Sequence, residues 1–348
     1  MSSTLDSQYI RKSEQRRLDR WNVKESSQKV EFIDTSDGWT LALSSYTKKP
    51  NKKYPVLLCH GLGANRLAFD VDKQASLALH LANQGYDVYA LDLRGHGKSQ
   101  KPRAFSDKRW GWGFNDYCHK DLPAAIDHIL QQTGKPKLHY IGHSMGGVLL
   151  YSRAAVQDPR IQSAITIGSS LDYSGTDSIF HSLIKFKALG NLLPAIPVHW
   201  PSLFSSWGAK YSEKLIDSVL VNPPNVNLNL YRKMAAVTLH PVSSKVLFDL
   251  AGSINGKGLL APDGSCYSTL LKDRGYLFPI LSLAGAADKQ CPPVAAKRFG
   301  TQHLIFGKTF GHAHDYGHDD LIMGKNAKYE TWPEIITWLE KNEGVCNG

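Results

Sequence analysis

The run GHSMGG at residues 142–147 constrains this chain more than any other stretch. It follows the strand-like segment KLHYIG (137–142) and precedes the helix-compatible segment MGGVLLYSRAAV (145–156). A G-x-S-x-G pattern in that setting needs glycines flanking the serine, because strand and helix approach closely around a tight turn. The serine is left at a helix N-terminus, where backbone N–H groups and the helix dipole favour developing negative charge. A serine hydroxyl is a weak nucleophile at neutral pH and needs a base. Ser144 is therefore the candidate nucleophile, provided the rest of the chain supplies partners. Without them the same pattern is only a tight turn.

The surroundings of the motif repeat one rhythm. VEFID (30–34) and WTLALSSY (39–46) read as an antiparallel pair around the turn residues Ser36, Asp37 and Gly38. From Pro55 onward, short apolar runs alternate with longer amphipathic ones. Strands are expected at 55–59, 86–93, 137–142, 161–170, 278–285 and 302–307, with helices at 72–84, 116–132, 145–157, 292–299 and 328–341. Apolar strands separated by helices predict a mostly parallel sheet covered on both faces, α/β in class. Residues 172–276 break the rhythm with Pro194, Pro197 and Pro201 and with Trp200, Phe204 and Trp207. An insertion of that length packs on a doubly wound core and does not thread it. The expected organisation is a polar N-terminal segment (1–28), a core in two parts (29–171 and 277–348) and an inserted, largely helical cap (172–276).

Where a serine occupies such a turn, its partners follow in the order acid, then histidine. Asp288 lies in LSLAGAADKQCPP, directly after the strand 278–285, and is the first candidate acid. Asp172, after the strand ending at Ser170, is the rival. The loop 308–327 offers His312, His314 and His318. His318, in GHDDL, is the candidate base, with Asp288 fixing its tautomer. Its pKa is expected near the ordinary value of about 6.5. Together with Asp315, Asp319 and Asp320 the three histidines also read as a metal cluster, but neither an H-E-x-x-H helix nor a cysteine partner accompanies them, and no metal or cofactor is expected. Acyl transfer builds negative charge on a carbonyl oxygen and calls for two N–H donors. Met145, after the nucleophile, and Leu62, in the strand-end loop Cys59-His60-Gly61-Leu62-Gly63, are the candidates.

Composition narrows the setting. The chain carries 41 Lys+Arg against 31 Asp+Glu, a net charge of +10. The basic residues are scattered, and Glu14 and Asp19 interrupt the densest run, Arg11 to Arg20, so a solvated N-terminal face is expected rather than a membrane or nucleic-acid arm. Five cysteines, Cys59, Cys118, Cys266, Cys291 and Cys346, form no CxxC pair, which leaves zinc-ribbon and thioredoxin-type sites unsupported. Free thiols suit a reducing compartment. The N-terminus shows no apolar signal segment, and no apolar run reaches the about 18 residues of a membrane span. A cytoplasmic location is expected.

HGLG (60–63), DLRGHGKS (92–99), GHSMGG (142–147), GAADKQCPP (285–293) and GHDDL (317–321) together resemble the α/β-hydrolase superfamily. More narrowly, WGWGFNDYCHKDLPAAIDHILQQTGKPKLHYIGHS (110–144) and YGHDDLIMGKNA (316–327) resemble the acid lipase family. That resemblance implies an α/β-hydrolase fold with an eight-stranded sheet, an ester hydrolase acting on lipid esters, a lid within the cap, and Ser144, Asp288 and His318 as the triad. The elbow reads GHSMGG where acid lipases usually carry GHSQG, and the acid pH preference of that family is not carried over. In the cap, Phe180, Leu183, Ile184, Phe186, Leu189, Leu192, Leu193, Ile196 and Trp200 read either as a lid over an acyl-chain pocket or as the cap's own core. The cap is also the expected place for transient contact with a lipid surface. A serine esterase or lipase is the leading expectation. A thioesterase, acyltransferase or carbon–carbon bond hydrolase would use the same triad, and a non-catalytic binding protein would leave it idle.

Overall fold

A computed structural model of the protein describes residues 14–47, 49–103, 106–179, 181, 193–196 and 219–344. Its strands are β1 (Lys29–Asp34), β2 (Thr40–Ser45), β3 (Val56–Cys59), β4 (Val88–Asp92), β5 (Leu138–His143), β6 (Ile161–Ile167), β7 (Ala195–Ile196), β8 (Val242–Ser243), β9 (Ile280–Gly285) and β10 (Gln302–Phe306). Eight of them form one sheet in the order β1-β2-β4-β3-β5-β6-β9-β10, and β7 and β8 form a separate small pair. β1, β2 and β4 pair antiparallel, and every pairing from β4 through β10 is parallel. The main helices are α1 (Leu77–Asn83), α2 (Leu122–Thr133), α3 (Met145–Ala155), α4 (Leu228–Thr238), α5 (Ser244–Gly252), α6 (Tyr267–Arg274) and α7 (Thr331–Lys341).

Both faces of the sheet are covered, as the continuous apolar strands require. Side chains alternate between faces along a strand. On β3, Leu57 joins one core cluster with Ile126 of α2 and Leu149 of α3. Its neighbours Val56 and Leu58 join the opposite cluster with Leu81 of α1 and Leu339 of α7. Because β3, β5, β6, β9 and β10 run parallel, their C-terminal ends all open onto one rim. The strand order reverses across β3 and β5, and ligands of open α/β sheets bind at such a switch point.

Some elements are shorter than the sequence pattern suggests, for local reasons. The helix expected at 72–84 splits into a 3-10 turn and α1, because Asp72 and Ser76 each cap a separate helix start. The helix expected from 116 opens with a π-helical turn over Tyr117–Asp121, where the buried Asp121 carboxylate receives the Arg94 guanidinium. The expected helices at 292–299 and 328–341 contract to Pro293–Ala296 and to α7.

Two buried ion pairs hold the loop after β4. Asp92 accepts from Arg66 Nη1 at 2.7 Å and from the backbone of Arg66 and Lys98. Burial opposes its charge, yet those partners hold the Asp92 carboxyl down to about 2. Arg94 bridges Asp121 and Asp37. The DLRGHGKS run is thus fastened from both ends.

From residue 14 onward the N-terminal segment docks one side on the fold and leaves Arg16, Asp19 and Arg20 exposed on the other. Leu18 and Val23 share a cluster with Tyr231, Met234 and Val237. Arg17 donates to the carbonyls of Ala236 at 2.7 Å and Leu239 at 2.6 Å, capping the last turn of α4. In the cap interval, α4 and α5 are described, and Tyr267 and Leu271 of α6 pack into the same core cluster as Leu150 and Ala154 of α3. The residues Phe180, Leu183, Ile184, Phe186, Leu189, Leu192, Trp200, Phe204 and Trp207 lie outside the described residues, as does Cys346. Among the described residues no helix is long and apolar enough to cross a membrane.

Candidate active site

Ser144 is held at the turn between β5 and α3 with φ 54° and ψ −120°, a region that non-glycine residues rarely occupy. Such a conformation costs on the order of 1–3 kcal/mol and persists only when the surroundings over-determine it. Here the Ser144 N–H donates to Ile167 O at 2.8 Å, and the Ser144 carbonyl accepts from Ser169 Oγ at 2.8 Å and from the Gly147 and Val148 N–H groups. The flanking glycines are required by contact. A Cβ on Gly142 would lie 2.4 Å from the Gly146 carbonyl, and one on Gly146 would lie 2.2 Å from Cys59 O. Gly61 is constrained less tightly, since its Cβ would fall 2.9 Å from Ser144 Cβ.

Asp288 and His318, thirty residues apart, meet at the same rim. His318 Nδ1 lies 2.8 Å from Asp288 Oδ2, and both side chains are buried. The other carboxylate oxygen, Oδ1, accepts from the Gln290 and Cys291 N–H groups at 2.8 and 2.9 Å. That arrangement fixes the carboxylate and leaves Nδ1 as the protonated nitrogen of neutral His318. Nε2 is buried and has no hydrogen-bond partner among the described residues. Burial pulls the His318 pKa down, but the charge and hydrogen bond of Asp288, aided by Asp319 and Asp320, outweigh it. The pKa is raised above the ordinary value, not left near it.

Ser144 and His318 line one cavity of about 130 Å³. Gly61, Leu62 and His143 border it on the sheet side, and Tyr231, Met234 and Leu239 come from α4 and its end. Among the described residues, the N–H groups of Leu62 and Met145 donate to no protein acceptor. The loop carrying Leu62 is tied to α4 by the His240 N–H, which donates to Gly63 O at 2.7 Å, and by Asn65 Nδ2, which donates to Val237 O at 3.0 Å.

The remaining candidates are placed elsewhere. Asp172 pairs with Arg298 at 3.0 Å and with Ser174. His312 contacts the Gly307 backbone and the Phe306 ring. The six-residue metal cluster suggested by the loop sequence is not assembled. A different group forms instead: His143, His318 and Asp319 bring one ligand atom each within 4.8 Å of the others. His143 is buried, its ring centroid 4.7 Å from that of His318, and burial together with the nearby His318 charge pushes its pKa well down. Burial raises the Asp319 carboxyl to about 6. His143 carried no signal of its own in the sequence except adjacency to Ser144, whereas Asp319 belonged to the metal-type pattern of the loop.

Residues 54–324 match the family described as alpha/beta hydrolase fold. The chain belongs to this family. Gastric triacylglycerol lipase of Bos taurus is 31% identical to the hydrolase, over 89% of this chain and 87% of that protein. Lipase member M of Homo sapiens is 24% identical over 89% of this chain and 82% of its own. The match to Lipase member N of Mus musculus, at 30% identity, spans 43% of this chain and 41% of that protein. Among solved structures, an esterase from Thermogutta terrifontis superposes with a TM-score of 0.58 at 19% identity, covering 90% of the hydrolase and 99% of that chain. A likeness at that identity shows the fold alone.

Proposed function

We propose that Ser144, His318 and Asp288 carry out carboxylic ester hydrolysis in this α/β hydrolase through an acyl-enzyme, with a lipid-type ester as substrate. The observation that carries the reading is the 2.8 Å bond between His318 and Asp288, which leaves an unpartnered Nε2 on the cavity that Ser144 also lines. In this reading Nε2 takes the Ser144 Oγ proton as Oγ attacks the ester carbonyl carbon. The N–H groups of Leu62 and Met145 receive the resulting oxyanion. Collapse expels the alcohol, which takes the proton back from Nε2, and the acyl group remains on Oγ. Water then attacks, giving its proton to Nε2, and the acid is released as Oγ regains a proton.

The apolar wall of Tyr231, Met234 and Leu239 supports an acyl chain lying against α4. The lipase names among the relatives support a lipid ester, met by transient contact of the cap with a lipid surface. Four free cysteines among the described residues support a reducing, cytoplasmic setting. The test is turnover of p-nitrophenyl esters of increasing acyl length, with a thioester and an amide alongside. Ser144→Ala is expected to abolish ester turnover, by about 10⁶ in kcat. Activity retained in pure Ser144→Ala protein would overturn the assignment.

A further inference from the structure

We propose that the mouth of this site is also an inhibitory zinc site, with His318 Nε2, His143 and Asp319 as its three protein ligands. Two imidazoles and one carboxylate, with a fourth position open to water, form a donor set that suits Zn²⁺. Mg²⁺ and Ca²⁺ prefer all-oxygen ligands and are poorly served by it.

Three observations on the page support the site. One ligand atom of each residue lies within 4.8 Å of the others, and His143 Nε2 lies 3.7 Å from Asp319 Oδ1; it now donates to His318 O at 3.3 Å, so ligation exchanges that hydrogen bond for the metal, with the ring proton carried on Nδ1. Bonds of about 2.0–2.2 Å to a tetrahedral ion place ligands about 3.3–3.5 Å apart, so modest closure completes the set. The Asp319 carboxylate makes no hydrogen bond within the fold among the described residues, and its nearest ion-pair partner is His143. The second observation is His318 Nε2, buried and without a hydrogen bond among the described residues. The third is the bond from Nδ1 to Asp288, which leaves Nε2 as the lone-pair nitrogen and forms the carboxylate–histidine arrangement that orients metal-bound imidazoles.

The consequence follows from the same nitrogen serving two purposes. An imidazole whose Nε2 is bonded to zinc has no lone pair for the Ser144 proton. Zinc binding therefore stops ester hydrolysis, and its removal restores it, with no covalent or redox change. The inhibition rests on His318 acting as the base, as proposed above, whereas the binding does not.

Two measurements separate these parts. Calorimetric titration of Zn²⁺ into Ser144→Ala protein reads binding alone, and p-nitrophenyl butyrate hydrolysis at buffered free Zn²⁺ reads inhibition. One ion per chain is expected. His143→Gln and Asp319→Asn, each made in the Ser144→Ala background, are expected to weaken binding at least about tenfold. In otherwise wild-type protein, each is expected to raise the half-inhibiting zinc concentration by the same factor, measured against that variant's own uninhibited rate. Mg²⁺ at equal concentration is expected to leave turnover unchanged. Unaltered zinc affinity in both variants, or equal inhibition by Mg²⁺, would overturn the proposal. Circular dichroism identifies a variant that fails to fold, in which case the other substitution decides. Ser144→Ala protein that still turns over esters overturns the catalytic assignment and leaves the calorimetric result to be judged by itself. An inactive Ser144→Ala protein that binds no zinc overturns only the zinc site.

Discussion

Gly146→Ala is the substitution whose sign local and tertiary physics predict oppositely. Gly146 is the second residue of α3, and inside a helix alanine is favoured over glycine by about 1 kcal/mol. Propensity alone therefore predicts a more stable protein. The new Cβ, however, would stand 2.2 Å from Cys59 O, 2.8 Å from Cys59 C and 2.9 Å from His60 O. All three are backbone atoms at the end of a central strand. Restoring ordinary contact, which begins near 3.4 Å, moves α3 and the end of β3 apart by about 1.2 Å. Overpacking of this kind costs about 1–3 kcal/mol, which exceeds the propensity gain. The displaced segment leads directly into Leu62, while Met145 sits on the helix being pushed away. The two candidate oxyanion donors are thus separated by the same movement. A misplacement of about 1 Å costs about 10² in rate, and loss of one donor about 10²–10³. Gly146→Ala is expected to lower the melting temperature by a few degrees and kcat by about 10²–10³, with a much smaller change in KM. Thermal melting followed by circular dichroism and steady-state hydrolysis of p-nitrophenyl butyrate measure both. A variant at least as stable as the parent, with kcat within about twofold, would refute the close-approach argument.

In the proposed reaction only neutral His318 accepts the serine proton, so with its pKa raised the rate is expected to fall as pH drops through a value above 6.5. Asp288→Asn removes the main raising charge; it is expected to shift that limb to lower pH and to cut kcat by about 10⁴, and an unmoved limb in the pH–rate profile would count against the pairing. Arg17→Ala removes two hydrogen bonds from a charged group to the end of α4, each worth about 1.5–3 kcal/mol at most. Because α4 lines the apolar wall while the proposed reacting groups sit on the sheet rim, KM for longer acyl esters is expected to rise more than kcat falls, and equal effects on both would argue against this division.

Much of the site was legible because the residues that build it sit beside strong local signals. The elbow glycines flank Ser144, and Asp288 follows a strand that reads clearly as buried. The choice between His312, His314 and His318 rested on the short GHDDL pattern, and the choice between Asp172 and Asp288 on the position of Asp288 directly after the late strand 278–285. Other features had no local signal. The docking of Arg17 onto Leu239 O joins residues more than two hundred apart and depends on where α4 ends. The six His and Asp residues of the loop do not gather, because closeness along a loop does not imply closeness in space. His143, from the far side of the elbow, joins His318 and Asp319, while His312 turns away toward Phe306.

By itself, the sequence determined the layered sheet, the exposed serine turn and the chemistry its partners are suited to. Apolar periodicity and glycine spacing are properties of neighbouring residues, and they survive without knowledge of the fold. Only the tertiary structure decided which acid reaches which histidine, that His318 is held with its pKa raised, and that the N-terminal segment braces the pocket helix. Those outcomes depend on burial and on charges brought together from distant strands, because desolvation and Coulomb energy are set by distance in space rather than along the chain.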